Sequence, residues 1–142
     1  MPIPFLSRLQ ALTSAAPSPA DAVLRARATG IVESLRRELP ELLAVAVIDL
    51  GQANTLAAYS SVRELVPAKA AAHNVEVVRL KRRALEALQL PTERIEDILI
   101  TLREQLHVLR VSQDGQLLLY LVVSSHDTNL AIARAVLQEH SN

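Results

Sequence analysis

The chain has 142 residues, 50% of them hydrophobic, and its 15 basic and 15 acidic side chains give a formal net charge of zero. A chain of this length fits one domain, and the balanced charge argues against a dedicated nucleic-acid-binding protein, which usually carries a basic excess. The absence of cysteine excludes disulfides and cysteine-ligated zinc, and no stretch approaches the roughly 18 uncharged apolar residues of a membrane span. These features predict a soluble, cytoplasmic protein without membrane insertion.

The N-terminal segment, residues 1–17, is predicted to be a flexible tail before a domain of residues 18–142. Several prolines interrupt this segment and oppose regular structure. Apolar residues from Phe5 to Leu12 are spaced for one or two amphipathic turns. The tail is therefore either a mobile or loosely docked segment or a peptide that binds a partner protein.

The first helix is predicted to begin at Ser18, which can cap it, with Pro19 at the first helical position and Asp21 near the positive end. Apolar residues at helical spacing then form one stripe as far as Leu39. Pro40 cannot continue the helix and is predicted to end it.

Three apolar runs of strand length follow, at residues 42–48, 95–102 and 117–123. A half-exposed strand would alternate apolar and polar residues, so these runs predict a sheet that is covered on both faces. Residues 55–60 and 105–111 are predicted to be two further strands. Short connections between successive strands indicate hairpins and a mainly antiparallel sheet.

The turns and the last helix are predicted from residues that favour special backbone conformations. Gly51 and Asn54 can supply positive φ angles in the first hairpin, and Gly115 can do so in the last. Asp127 or Thr128 is predicted to cap a final helix that begins directly after them.

The central helix, predicted over about residues 66–88, carries two apolar lines where a helix that covers one sheet needs one. The first line consists of Ala70, Val77, Leu80, Ala84 and Leu88, and the second of Ala71, Val78 and Leu85. A second contact is therefore predicted, and a two-fold copy of the same helix is its simplest source. The alternative is one broad apolar face in a monomer. The predicted dimer contacts are Ala71, Asn74, Val78 and Leu85.

The predicted order α-β-β-α-β-β-β-α resembles the roadblock (dynein light chain) family over roughly residues 20–139. Matching stretches include strands, part of the central helix and the start of the last helix. They are Leu43-Ala-Val-Ala-Val-Ile-Asp-Leu-Gly, Ala72-His-Asn-Val, Ile98-Leu-Ile-Thr-Leu, Gly115-Gln-Leu-Leu-Leu-Tyr-Leu-Val-Val and Asp127-Thr-Asn-Leu-Ala-Ile-Ala-Arg.

This resemblance implies a profilin-like α+β fold, with a five-stranded antiparallel sheet between the central helix and the two outer helices. Family members commonly dimerise by pairing central helices and adjacent edge strands. The family is non-catalytic, and its bacterial members are often encoded with, or bind, small Ras-like GTPases. The resemblance thus implies a homodimeric regulator or scaffold without a cofactor, with a small GTPase as partner. The alternative is an adaptor that recruits another protein through its tail or a sheet edge.

The densest basic run, Arg79-Leu-Lys-Arg-Arg, lies on the central helix close to Glu76 and Glu86. Such a run is either a solvated helix face with i,i+4 pairs or a docking surface for an acidic partner. The predicted partner contacts are Arg79, Arg82, Arg83 and Glu86.

No catalytic, cofactor-binding or metal site is predicted. Ser124-Ser-His-Asp contains the residue types of a catalytic triad, but triad members meet in space rather than as neighbours in sequence. This stretch is instead predicted to be a strand end followed by a helix cap. The four histidines share no metal-ligand spacing, and the three glycines form no phosphate-binding loop.

Overall fold

The computed structural model describes residues 18–142, which form an α+β fold of three helices and one five-stranded sheet. In chain order these elements are α1 Pro19–Glu38, β1 Ala44–Asp49, β2 Asn54–Ser60, α2 Ala71–Ala87, β3 Asp97–Thr101, β4 Gln105–Val111, β5 Leu117–Ser124 and α3 Leu130–His140. A 3₁₀ turn at Pro67–Ala70 leads into α2. This is the predicted order of elements. The predicted tail, residues 1–17, lies outside the described part of the chain.

The sheet is antiparallel throughout and its strands lie in the order β2-β1-β5-β4-β3. The prediction of strands buried on both faces holds for β1 and β5, which are buried along nearly their whole length. It is wrong for β3, where Leu99 is 36% exposed. The reason is position: β3 is an edge strand with a neighbour on one side only, and the apolar run alone does not reveal the order of strands.

One face of the sheet is covered by α1 and α3. Ser18 caps α1 as predicted, in a capping box: Ser18 Oγ accepts the Asp21 N–H at 3.1 Å, and the Asp21 carboxylate accepts the Ser18 N–H at 3.1 Å. The buried stripe of α1, which includes Ile31 and Leu35, packs with Leu137 of α3 against this face. The two helices close the larger apolar cluster.

Two local predictions are corrected by the structure. The positive φ of the first hairpin is at Ala53, at 59°, rather than at Gly51 or Asn54. Asp49 Oδ1 accepts the Gly51 N–H at 2.8 Å, and this side-chain bond fixes the start of the turn, so the left-handed residue comes later. Gly115 has a φ of 75°, as predicted.

The last helix is capped by Asn129, which directly follows the two predicted caps, Asp127 and Thr128. Its side chain accepts the Ile132 N–H at 3.2 Å. All three residue types are competent caps, but the Asp127 carboxylate lies 3.4 Å from Ser124 Oγ, within the turn after β5.

The opposite face is covered by one helix, α2, together with neighbouring residues such as Leu65 and Ile95. Ala71, Val75 and Val78 are its buried residues and pack on side chains such as Ile48 and Tyr120. No residue of α2 beyond Val78 is buried, so the second half of the helix is not enclosed by the sheet. No helix in residues 18–142 is long and apolar enough to cross a membrane.

Candidate interaction surface

The four predicted dimer contacts do not share one surface of α2. Ala71 and Val78 are 4% and 0% exposed and pack against the sheet of their own chain. Asn74 and Leu85 lie partly buried at the margin of this contact. The prediction is thus corrected for Ala71 and Val78, which a second chain cannot reach in this arrangement. Helical periodicity separates the two apolar lines by angle, but it does not say which line faces the sheet.

The other apolar line of α2 is the one left exposed. Val77, Leu80 and Leu88 are 36%, 52% and 63% exposed, and Ala84 is partly buried. At about 100° per residue these four side chains fall within an arc of roughly 80°, well away from the sheet-facing line. We call Val77, Leu80, Ala84 and Leu88 the outer stripe. Large apolar side chains aligned in this way on a surface are typical of an interaction site.

The predicted partner contacts are all exposed but do not form one cluster. Arg79 Nη2 donates to the carbonyl of Leu50 at 3.3 Å, which ties this side chain to the end of β1. Arg82 and Glu86 line a cleft beside the helix, whereas Arg83 does not. The basic run therefore contributes to two neighbouring surfaces: Arg79 contacts the residue that follows β1, and Arg82 lines the cleft.

This cleft, of about 640 Å³, lies between the second half of α2, the segment that follows it and the β4–β5 hairpin. Arg82 and Arg94 line it together with Glu86, Glu93 and Glu96, so its charge is mixed. Such a lining is unlike the concentrated positive charge that binds phosphate groups.

The hairpin wall of the cleft is held by Asp114, which forms an ion pair with Arg27 of α1. The hydroxyl of Ser112 donates to Asp114 at 2.6 Å, and the Gln116 N–H donates at 3.1 Å. The Ser112 hydroxyl above all, with help from the Gln116 N–H and Arg27, lowers the pKa of Asp114 to about 2. The carboxylate is therefore a structural anion of the hairpin.

A polar group that the sequence did not indicate lies under α2. The Tyr120 hydroxyl is 2.9 Å from His107 Nδ1, and His107 Nε2 is 2.9 Å from Gln105 Oε1. The Gln105 oxygen can only accept, so Nε2 carries the hydrogen and Nδ1 accepts from the tyrosine hydroxyl. Burial lowers the pKa of His107 and raises that of Tyr120. These residues come together through strand register, which the sequence does not specify.

The stretch that contains triad residue types forms a turn. His126 Nε2 lies 3.0 Å from Glu104 Oε2 and does not reach a serine hydroxyl. Ser124 Oγ accepts the backbone N–H of His126 at 3.2 Å, and the Ser125 hydroxyl donates to the Arg103 carbonyl at 2.9 Å. The contacts fasten the end of β5 to the β3–β4 turn.

Sequence spacing also missed a contact between the ends of α1 and α3. Glu38, Glu139 and His140 bring their ligand-type atoms within 4.8 Å of one another at the surface. His140 Nε2 lies 2.6 Å from Glu38 Oε1, so the histidine already has a carboxylate partner. This contact joins the C-terminal ends of the two helices.

The fold places the chain in the class of helix–sheet–helix α+β sandwiches. More specifically, solved structures show that it has the roadblock fold. Myxococcus xanthus MglB matches with a TM-score of 0.70 and 8% identity, over 82% of this chain and 84% of that one. An MglB with a tetrameric arrangement matches with a TM-score of 0.69 and 15% identity, over 91% of this chain and 90% of that one. A Roadblock/LC7 domain from Streptomyces avermitilis matches with a TM-score of 0.66 and 13% identity, over 80% of this chain and 90% of that one.

The sequence by itself gives no such match. No family model matches it, and neither does any curated protein. At the low identities above, the structural likeness establishes the fold alone.

Proposed function

We propose that this protein is a non-catalytic dimeric regulator or scaffold of the roadblock type, and that its partner is a small Ras-like GTPase. The observation that carries the proposal is the outer stripe of α2, three of whose four side chains are large, apolar and exposed. A helix face of this kind is costly to leave in water and is satisfied by a second protein surface.

The proposed dimer pairs the outer stripes of two copies around a two-fold axis. Asn74 and Leu85 lie at the margin of the stripe and are proposed to contact the second copy, while Ala71 and Val78 support the helix from behind. The edge strand β3 has unpaired backbone groups on its outer side, which suits strand pairing with the second copy. The tetrameric arrangement of one structurally similar MglB supports self-association of this fold.

Sedimentation of purified protein at tens of micromolar tests the dimer. Leu80→Glu combined with Leu88→Glu should give monomers with an unchanged circular dichroism spectrum, since both side chains are exposed. Val23→Glu is the matched control, because Val23 is 70% exposed on α1, on the other face of the sheet. It should remain dimeric. A monomeric wild-type protein under these conditions would overturn the dimer.

The GTPase is proposed to contact the polar side of paired α2 helices, through Arg82, Arg83 and Glu86. Arg79 is proposed to contribute less because Leu50 already binds its guanidinium. The resemblance to bacterial roadblock proteins supports the class of partner. The neutral overall charge leaves local charge, rather than a general attraction, to select it.

Binding of purified Ras-like GTPases from the source genome, loaded with GDP or a non-hydrolysable GTP analogue, tests this contact. Arg82→Glu with Arg83→Glu should weaken binding at least tenfold, since a like-charge change at a charged contact costs about 1.4 kcal/mol or more. Arg37→Glu on α1 is the control and should bind normally. Failure of every GTPase in both nucleotide states would refute the proposed partner.

A second candidate is an adaptor that recruits an extended peptide without a GTPase. The observation that favours it is the edge strand β2, because no residue from 52 to 62 is charged. Charged side chains are a common protection of sheet edges, and an uncharged edge accepts an added strand more readily. Ala58→Lys, on the exposed part of β2, should abolish such recruitment, whereas Arg82→Glu with Arg83→Glu should leave it unchanged.

A further inference from the structure

The C-terminal ends of α1 and α3 bring three metal-binding side chains together. Glu38 is the last residue of α1, and Glu139 and His140 are the last two of α3. One imidazole nitrogen and one oxygen from each carboxylate lie within 4.8 Å of one another. Glu38 and His140 are 102 residues apart in the sequence, so the fold creates this group. Its donors are mixed, nitrogen and oxygen, and they come from two separate helices.

Both helix ends are held in place by the buried residue that follows each of them. Leu39, directly after Glu38, is 1% exposed and packs in the larger apolar cluster. Ser141, directly after His140, is 2% exposed, and its hydroxyl oxygen accepts a hydrogen bond from Arg110 Nε at 2.8 Å. The three side chains therefore extend from a fixed backbone. Ligands that are already positioned lose little conformational freedom when they bind an ion.

The negative charge of this group is not balanced by the described part of the chain. His140 Nε2 lies 2.6 Å from Glu38 Oε1, so one proton can join these two side chains. Among residues 18–142, neither Glu38 nor Glu139 pairs with a lysine or arginine, and Glu139 has no ion-pair partner of any kind. Both carboxylates also lie at helix C-termini, whose partial negative charge favours cations. A bound cation would satisfy all three ligand atoms, whereas the proton leaves Glu139 out.

We propose that Glu38, Glu139 and His140 form a zinc-binding site that joins the end of α1 to the end of α3. Zinc binds imidazole nitrogen and carboxylate oxygen at about 2.0–2.2 Å, which places the ligand atoms of a tetrahedral site about 3.3 Å apart. The separations here are 2.6 Å between His140 and Glu38 and at most 4.8 Å in the whole group. They bracket the tetrahedral value, so small side-chain rotations complete the site. The fourth position is left to water.

The donor set selects zinc over the hard divalent cations. Calcium takes roughly six to eight oxygen ligands, and magnesium requires a near-ideal octahedron of oxygens. Neither ion gains from an imidazole nitrogen, whereas imidazole is a preferred ligand of zinc. The site should therefore bind zinc more tightly than calcium or magnesium. It lies on the side of the sheet that α1 and α3 cover, away from α2, so it does not depend on the proposed dimer or GTPase.

Isothermal titration calorimetry of the full chain with zinc tests the site. The protein is first freed of metal with a chelator and then dialysed to about pH 7.5, where imidazole is available to bind metal. One zinc ion should bind per chain, and equal concentrations of calcium or magnesium should not displace it. His140→Gln should weaken zinc binding at least tenfold, because it removes the only nitrogen ligand.

Glu139→Gln separates a metal site from an ordinary histidine–glutamate pair. Glu139 is exposed and takes no part in the contact between His140 and Glu38, so this variant should fold normally and still bind zinc at least tenfold more weakly. His126→Gln is the matched control. His126 Nε2 lies 3.0 Å from Glu104 Oε2, a similar pair that has no third ligand among residues 18–142. The control should bind zinc as the wild type does.

Thermal unfolding gives a second readout. Zinc at 100 times its Kd should raise the folding equilibrium constant about 100-fold, because the unfolded chain does not hold these ligands together. The gain should be largely lost in Glu139→Gln at the same zinc concentration. The site is refuted if the wild type binds zinc with a Kd above about 0.1 mM. It is also refuted if Glu139→Gln binds as the wild type, or if His126→Gln loses as much binding as His140→Gln.

Discussion

The two faces of the sheet differ in how many helix residues are buried on them. On one face, α1 and α3 together bury six residues in a continuous apolar cluster that also takes in alternate residues of β1, β4 and β5. On the other, α2 buries three residues, all in its first half, and presents an apolar stripe to the outside. The first face is complete within one chain. On the second face, one side of α2 packs on the sheet and the outer stripe stays exposed. We therefore propose the interaction site there.

The helices also differ in capping: α1 and α3 have side-chain caps at their N-termini, and α2 has none. α1 has a capping box at Ser18 and α3 is capped by the side chain of Asn129. α2 instead follows a 3₁₀ turn, has no side-chain cap at Ala70, and is followed by Gln89 at a φ of 57°. An N-terminus without a side-chain cap and a left-handed non-glycine residue both raise the free energy of a helix. We infer that α2 is the helix whose position is most easily changed.

The largest expected effect compares Leu119 with Leu118, adjacent and fully buried residues of β5 that face α1 and α2 respectively. Replacing a buried leucine by alanine costs about 2–5 kcal/mol, and less where neighbours can move into the cavity. Leu119→Ala should therefore lie near the upper limit and Leu118→Ala near the lower. Equilibrium unfolding in urea measures both. Equal losses would contradict the idea that the α2 face is the more adaptable one.

The next effect is a gain in stability at the end of α2. Glycine adopts a positive φ without the penalty of a side chain, and part of this gain is lost to the freedom of the unfolded chain. Gln89→Gly should raise the free energy of unfolding by about 0.5–1 kcal/mol. Ala72→Gly, an exposed position with helical φ, should lower it by a similar amount. A loss in Gln89→Gly would show that its side chain supports the helix end after all.

The order and type of elements could be predicted because each depends on local pattern. Ser18 followed by Pro19 specifies a helix start, and the uninterrupted apolar runs of β1 and β5 specify central strands. The edge position of β3 could not be predicted, since it depends on which strands pair. The choice of Asn129 over its two neighbours as cap could not be predicted either, because all three residue types are competent caps.

The sequence predicted two apolar lines on α2 but not which of them faces the sheet. The two apolar lines of α2 were apparent from periodicity, yet periodicity gives angles between side chains and no direction toward the sheet. The buried line proved to be that of Ala71 and Val78. The polar group at His107 depends on antiparallel register, because Tyr120 pairs with Leu109, two residues away on β4. The sequence alone does not reveal that pairing.

The smallest expected effect is the loss of stability at low pH from one ion pair on the α1 side of the sheet. Asp114 fastens the β4–β5 hairpin to Arg27 of α1, and its pKa is lowered to about 2, chiefly by the Ser112 hydroxyl. Its contribution is therefore fully present above the unfolded value of 3.8 and is lost as the pH falls toward 2. Asp114→Asn should cost no more than about 1 kcal/mol at neutral pH, because the side chain is 42% exposed and water screens the pair.

Unfolding midpoints of the wild type and Asp114→Asn, measured from neutral pH down to about pH 2, test this assignment. The two curves should converge below the unfolded pKa of aspartate. Glu33→Gln is the control, since Glu33 forms a more exposed pair with Arg36 at 3.5 Å and should change little. Curves that remain separated at about pH 2 would contradict this assignment.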